Sequence, residues 1–118
     1  MLVKIRKKIA LLIINAVKFL SFNITMKIRN YCYKFVLKNM GTRCNILDGV
    51  TILSPEKVSI GNRVSIHEGT YIVGEITVGN YVGIGAKCSI IAETHHHSDT
   101  SIPFKLQGTE DQPIEIGN

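Results

Sequence analysis

A six-residue repeat constrains this 118-residue chain more than any other feature of its sequence. From position 60 onward an aliphatic residue recurs at every sixth place, namely Ile60, Ile66, Ile72, Val78, Ile84 and Ile90. A second set of small or β-branched residues follows four places later, at Val64, Thr70, Ile76, Val82 and Cys88. Neither an α-helix nor a simple hairpin has this period. The repeat therefore predicts short strands and tight turns that wind into stacked coils, each with an aliphatic interior.

A longer period of 18 residues overlies the first, because Ile60-Gly61-Asn62 returns as Val78-Gly79-Asn80. Ile46 and Ile52 continue the six-residue spacing upstream, before a two-residue slip around Ser54-Pro55. One coil cannot bury its own interior, so stability has to come from stacking several coils. We expect Gly and Asn at the corners, because both tolerate left-handed backbone values. The alternative, ordinary short strands with glycine turns, leaves the regular spacing unexplained.

The repeat is interrupted once. After Ile90 the register returns only at Ile116-Gly117-Asn118, so a loop of about residues 93–115 is inserted into a coil. Three of the four histidines of the chain, His95, His96 and His97, lie in this loop. Long irregular loops on a rigid scaffold are where function concentrates. We therefore look for the functional residues here.

The N-terminal segment, residues 1–40, differs from the repeat in charge. Residues 1–47 contain ten Lys and Arg and no acid, whereas residues 48–118 contain four basic residues and nine acidic ones. Within residues 4–20 the apolar residues that follow helical spacing are Ile5, Ile9, Leu12, Ile13, Ala16 and Leu20. This pattern predicts a basic amphipathic α-helix. Its longest uncharged run, from Ile9 to Val17, is far shorter than the roughly 20 residues of a membrane span.

Several interpretations of this helix compete. A peripheral helix on an anionic membrane surface accounts for the basic and apolar composition together. A helix packed on the rest of the protein, or on another subunit, is the second interpretation. A signal peptide fits less well because no clear small-residue cleavage site follows. No motif for reading nucleic acid is present, so we expect no nucleic-acid partner.

The repeat over residues 41–118 resembles that of the hexapeptide-repeat acyltransferases. The loop resembles the active-site loop of the maltose/galactoside O-acetyltransferase branch, which includes polysaccharide-biosynthesis acetyltransferases. The residues that carry this second resemblance are Thr94-His95, Asp99, Ile102-Pro103, Gln107-Gly108 and Gln112-Pro113-Ile114. The resemblance implies a mainly β fold, a left-handed parallel β-helix over 41–118 preceded by an N-terminal amphipathic α-helix. It also implies acetyl-CoA as co-substrate, a sugar or glycan hydroxyl as acceptor, and a homotrimer.

The same resemblance implies that His95 is the general base, with His97 as the alternate. A sugar hydroxyl attacks a thioester only when its proton is removed, and an imidazole titrates close enough to neutral pH to accept it. No residue is assigned to coenzyme A. A zinc site is the competing interpretation, since γ-class carbonic anhydrases share the implied fold. Three consecutive histidines cannot easily face one ion, and His67 reads as an exposed structural residue, so we expect no metal.

The family pattern continues beyond the position at which this sequence stops. We therefore expect an O-acetyltransferase truncated at its C-terminus, or an N-terminal fragment of one. The alternatives are a non-catalytic truncated β-helix module and, with less support, a metal-dependent hydratase of the same fold. Cys32 and Cys44 have no partner spacing, which is typical of a reducing cytosol. We expect a cytoplasmic protein, held at the inner face of the membrane if its helix binds lipid.

Overall fold

The computed structural model of this chain describes residues 2–19, 23–95 and 109–118. Within these residues, two helices precede twelve short strands. In chain order the elements are α1 (Leu2–Val17), α2 (Asn23–Val36), β1 (Asn39–Met40), β2 (Asn45–Ile46), β3 (Thr51–Leu53), β4 (Val58–Ile60), β5 (Ser65–Ile66), β6 (Tyr71–Val73), β7 (Ile76–Val78), β8 (Gly83–Ile84), β9 (Ser89–Ile91), β10 (Glu93–His95), β11 (Thr109–Asp111) and β12 (Ile114–Ile116). The fold is thus mixed α/β, whereas the sequence predicted a mainly β chain with one helix.

Three parallel sheets hold most of the strands. Their strand orders are β1-β4-β7-β12, β2-β5-β8 and β3-β6-β9. The chain therefore visits the three sheets in turn, and we call one such round a coil. In the second sheet Ile66 lies opposite both Ile46 and Ile84, and in the third Ile72 lies opposite both Ile52 and Ile90. The aliphatic residues of successive coils are in register, as the repeat predicted.

Burial confirms the inward positions of the repeat. Ile66 and Ile72 are fully buried, and Ile60, Val78 and Ile84 expose 6% of their surface or less. The second inward set behaves alike: Val64, Thr70 and Ile76 are fully buried, and Val82 and Cys88 are half-buried. These side chains form one hydrophobic core, whose stabilisation grows with the apolar area removed from water.

The two-residue slip in the repeat corresponds to a short 3₁₀ turn, Pro55–Lys57. Ser54 precedes it in a left-handed conformation, with φ of 56°. The turn takes up the two extra residues between β3 and β4. Strand β4 then starts at Val58 and pairs in register with β7. The first coil is longer than the second, yet the strands on both sides of the turn still pair in register with those of the next coil.

The corners of the coils were predicted wrongly in one respect. Eight described residues have positive φ and fall into three columns, Arg43 with Arg63 and Tyr81, Gly49 with Gly69 and Lys87, and Ser54 with Gly74. None of these eight is an asparagine. The repeat asparagines Asn62 and Asn80 instead directly precede the corner residues Arg63 and Tyr81, and their side chains bond to the neighbouring coil. The amide oxygen of Asn62 accepts from the Thr42 N–H at 2.8 Å, and that of Asn80 accepts from the Asn62 N–H at 2.8 Å.

The helices pack on this stack through only part of their surface. In α2 the buried residues are Thr25, Arg29, Cys32, Tyr33 and Val36. In α1 only Ala10 and Ile14 are buried. Ile5, Ile9 and Leu12, which belong to the apolar stripe seen in the sequence, are 46%, 50% and 69% exposed. The face of α1 that packs is therefore not the stripe that the spacing emphasised.

Helix α2 covers the open edge of the second sheet. Among the described strands, β2 lies at the edge of its sheet, so the outer backbone groups of Ile46 need other partners. The side chain of Asn30 accepts from the Ile46 N–H at 2.9 Å, and Nε of Arg29 donates to the Ile46 carbonyl at 3.3 Å. Nη1 of Arg29 also donates to the carbonyl of Val17, the last residue of α1, at 2.9 Å. One buried guanidinium thus joins both helices to the stack.

Candidate functional site

The inserted segment begins and ends as an antiparallel hairpin. Strand β10 pairs with β11, with Glu93 opposite Asp111, Thr94 opposite Glu110, and His95 opposite Thr109. The ladder brings the two ends of residues 96–108 together at His95 and Thr109. Antiparallel neighbours of this kind have Cα atoms about 5 Å apart. Strands β10 and β11 therefore form a two-stranded stem on either side of residues 96–108 in the sequence.

Backbone hydrogen bonds attach this stem to the coil before it. The N–H of Ala92 donates to the Val73 carbonyl at 2.8 Å, and the N–H of Gln112 donates to the Ala92 carbonyl at 2.7 Å. The N–H of Ile114 then donates to the Glu75 carbonyl at 3.0 Å. These bonds place the hairpin at the corner between the third sheet and the first. A stem held by backbone on both sides fixes where the histidine-bearing segment starts.

Gly74 makes the close packing under the stem possible. Its φ is +99°, a value that L residues rarely adopt, and a Cβ there would lie 2.9 Å from Cβ of Ala92. Ala92 itself is fully buried. Only glycine satisfies both the backbone conformation and the space at this position. Gly74 is therefore part of the support of the hairpin, and the six-residue repeat gives no sign of that role.

The chain re-enters the repeat after the hairpin. Ile114 pairs with Ile76 and Ile116 pairs with Val78 in the first sheet, and the Gly79 N–H donates to the Ile116 carbonyl at 2.8 Å. The predicted return of the register at Ile116-Gly117-Asn118 is confirmed. Strand β12 begins two residues earlier, at Ile114, so the insertion ends slightly before the predicted limit of 115.

Of the predicted site residues, His95 lies at the end of β10, where the hairpin opens. His97, the alternate, lies outside the described residues, as do His96, Asp99, Ile102-Pro103 and Gln107-Gly108. The role of His95 therefore stays a prediction. Its backbone forms the last described pair of the stem, opposite Thr109.

The remaining histidine, His67, follows β5 at a different corner of the stack. Its side chain is exposed, and its N–H donates to the Ile84 carbonyl at 2.9 Å. This agrees with the expectation of an exposed structural residue. His67 is thus on the same scaffold as the hairpin without being part of it.

No group of three or more His, Cys, Asp or Glu in residues 2–19, 23–95 and 109–118 could hold a metal ion. The thiols of Cys32 and Cys44 are free and buried, and Cys88 is free and half-buried. Burial raises the pKa of the Cys32 thiol. A buried thiol of raised pKa is a poor nucleophile, because the thiolate is the reactive form. Cys32 and Cys44 belong to the hydrophobic core, and Cys88 packs against it.

Sequence reasoning missed two features of the helical segment. Arg29 is only 2% exposed, and nothing in the spacing distinguishes it from the solvated basic residues around it. The second is a stripe of exposed apolar residues along α2, Ile24, Ile28, Tyr31 and Phe35. Here a signal existed, since steps of four, three and four residues line up one face of a helix.

Comparison with known proteins gives a fold and no family. No protein-family model matches the chain, and no curated protein matches its sequence. A solved structure with a similar fold is that of a mutant of AntD, an N-acyltransferase from Bacillus cereus, in complex with dTDP and coenzyme A. The TM-score is 0.54 at 17% identity, over 76% of this chain and 62% of that one. The likeness is one of fold. This chain spans less than two thirds of the AntD chain.

Proposed function

We propose that this chain acts as an acyltransferase whose acyl donor is a thioester of coenzyme A. One observation carries the proposal: a hairpin that opens at His95 interrupts a three-sheet coil stack. Support comes from the similar fold of an N-acyltransferase crystallised with coenzyme A. The loop motif that starts at Thr94-His95 adds the resemblance to the O-acetyltransferase branch.

The finer architecture that we propose is a left-handed parallel β-helix, predicted over residues 41–118 but begun by β1 at Asn39, because β1 already pairs with β4. The helices of the N-terminal segment, predicted as residues 1–40, are joined to this stack through Ile46. The three parallel sheets and the columns of left-handed corners support a helical winding of the coils. The handedness follows from the family resemblance. We also propose that the protein is cytoplasmic and forms a homotrimer. Sedimentation of the full chain tests the oligomeric state. A monomer at all concentrations would contradict the trimer.

The finer chemistry that we propose is acetyl transfer to a hydroxyl group of a sugar or glycan. The thioester of acetyl-CoA supplies the electrophilic carbonyl carbon. The imidazole of His95 takes the hydroxyl proton while the oxygen bonds to that carbon. The carbon–sulfur bond then breaks, and the proton passes from the imidazolium to the departing thiolate. General-base catalysis of this kind contributes about 10²–10⁴-fold to the rate.

The test compares two histidine variants of the full chain. We expect His95→Ala to lower the release of free thiol from acetyl-CoA, in the presence of a sugar acceptor, by about 10²–10⁴-fold. The matched control is His67→Ala, an exposed histidine of the same scaffold, which should retain activity. Equal activity of His95→Ala and the unaltered protein would refute His95 as the base. A folded protein that neither binds coenzyme A nor turns it over would instead be the non-catalytic module.

The acceptor atom can be determined in the same assay. Sugar nucleotides with a free amino group and matched ones with only hydroxyl groups should be offered in parallel. We expect the hydroxyl acceptors to gain one acetyl group that mild alkali removes, because esters hydrolyse under conditions in which amides survive. A product that resists alkali would identify an N-acetyltransferase and contradict the O-acetyl assignment.

A further inference from the structure

An apolar groove runs between the two helices, and every residue that lines it belongs to α1 or α2. It measures about 650 Å³, and its wall includes Ile9 and Ile13 of α1 and Ile24, Ile28, Tyr31 and Phe35 of α2. We call this surface the helical groove. Several of these side chains are strongly exposed: Ile24 by 67%, Tyr31 by 64% and Ile9 by 50%.

These side chains take no part in the buried face of α2. That face consists of residues such as Arg29, Tyr33 and Val36, which pack towards the coils. Helix α2 therefore has two stripes, one that caps the stack and one that lines the groove. The other face of α2 already packs on the coils, yet this apolar stripe remains exposed. A contiguous exposed apolar surface of this kind indicates contact with a membrane or with another protein.

The charges around the groove indicate which class of partner it binds. Arg6 and Lys27 form part of its wall, and Lys4, Lys7, Lys8 and Lys34 are exposed on the same two helices. Residues 1–47 contain no carboxylate side chain. A second copy seated on the same groove would bring these cations together without acids to balance them. A bilayer with anionic headgroups offers negative charge at its surface and hydrocarbon immediately below.

We propose that the helical groove is a docking face for an anionic membrane surface. The apolar side chains of both helices enter the headgroup boundary, and Arg6 and Lys27 contact lipid phosphates and carboxylates. Both helices then lie in the plane of the interface. Within residues 2–19 and 23–95, neither helix is long and apolar enough to cross a membrane. The inference does not depend on the acyltransferase assignment.

The first test is flotation of the full chain with phosphatidylcholine vesicles that do or do not contain phosphatidylserine. We expect binding to the vesicles with phosphatidylserine, weakened by added salt, and little binding to phosphatidylcholine alone. Equal binding to both vesicle types, or none to either, would overturn the proposal. His95→Ala should bind as the unaltered chain does, so failure of the enzymatic proposal would leave this result intact.

The second test uses paired substitutions at exposed positions, which should leave the fold intact. Ile24→Ser with Ile28→Ser should weaken vesicle binding by about tenfold or more. Arg6→Gln with Lys27→Gln should weaken binding only where phosphatidylserine is present. The control pair is Leu53→Ser with Tyr81→Ser, at side chains that are 45% and 75% exposed on the coils. Circular dichroism and thermal unfolding check that each variant is folded.

The competing hypothesis is that a second copy of this chain binds the helical groove, and it predicts a different result. If the groove were a contact between copies, Ile24→Ser with Ile28→Ser would lower the oligomeric state in sedimentation and leave vesicle binding unchanged. That result would overturn the membrane proposal. We expect the sedimentation of this variant to equal that of the unaltered chain.

Discussion

The side chain of Asn118 accepts a hydrogen bond from the backbone N–H of Asn80, with 2.6 Å between Oδ1 and N. Asn80 does the same for Asn62, and Asn62 for Thr42. The asparagines therefore form a ladder along one corner of the stack. The ladder continues across the inserted hairpin, so the coil that follows the insertion takes the same place as the coils before it.

This ladder predicts a measurable loss of stability in Asn80→Ala. The substitution removes the acceptor of the Asn62 N–H, and we expect unfolding by urea to show a loss of about 1 kcal/mol. Asn39→Ala is the control, since its amide donates to the Ser59 side chain at the longer distance of 3.3 Å and lies outside the ladder. A loss in Asn39→Ala as large as that in Asn80→Ala would contradict the importance of the ladder.

Gly74→Ala should destabilise the protein and disturb the hairpin. The new Cβ would lie 2.9 Å from Cβ of Ala92, on a backbone with φ of +99°. We expect a cost of about 1–3 kcal/mol in the free energy of unfolding. Because Ala92 directly precedes the stem, the proposed acyl transfer should fall as well. At Gly83 nothing lies within 4 Å of an added Cβ, so Gly83→Ala is the matched control and should unfold like the unaltered protein.

Arg29→Ala should loosen the attachment of both helices to the stack. It leaves the Val17 and Ile46 carbonyls without the guanidinium, which is 2% exposed. We expect a loss of at least about 2 kcal/mol in urea unfolding, because hydrogen bonds to a buried charged group are among the stronger ones. Arg43→Ala, at an exposed corner, should change stability by less than about 0.5 kcal/mol. Similar losses in both variants would refute the role of Arg29.

Tyr33 predicts a dependence of stability on alkaline pH. Burial raises the pKa of its phenol to about 12, and the Arg29 charge opposes this shift in part. The unfolded chain loses the phenol proton near pH 10 and the folded chain only near pH 12. Stability from this group is thus fully present below pH 10 and declines as the pH rises to 12.

In Tyr33→Phe the free energy of unfolding should fall less as the pH rises from 10 to 12. At the upper end of this window the difference from the unaltered protein should be up to about 2–3 kcal/mol. Urea unfolding at a series of pH values between 9 and 12 measures the difference. The comparison is made against Tyr81→Phe, which removes a phenol that is 75% exposed. Parallel curves for Tyr33→Phe and the unaltered protein would refute the assignment.

The sequence predicted where the repeat resumes but not how the inserted segment is held. The return of the register at Ile116 was predicted correctly, although β12 already begins at Ile114. The antiparallel stem between Glu93–His95 and Thr109–Asp111 was not predicted. It depends on the fit of Ala92 against Gly74, which belongs to another coil and lies 18 residues away. Contacts between coils of that kind leave no trace in local spacing.

The six-residue spacing by itself determined the aliphatic ladders, because residues such as Ile66 and Ile72 recur at positions that face inward in every coil. Local periodicity sufficed there, since each coil repeats the surroundings of the last. It did not determine which face of the helices would pack. Apolar residues surround more than half of α1, so its sequence allows several buried faces. Only the tertiary structure selected Ala10 and Ile14, buried Arg29 at the edge of the second sheet, and left Ile24 and Tyr31 exposed. The reason is physical: the free backbone of Ile46 needed polar partners, and the helix that supplied them had to turn its other stripe outward.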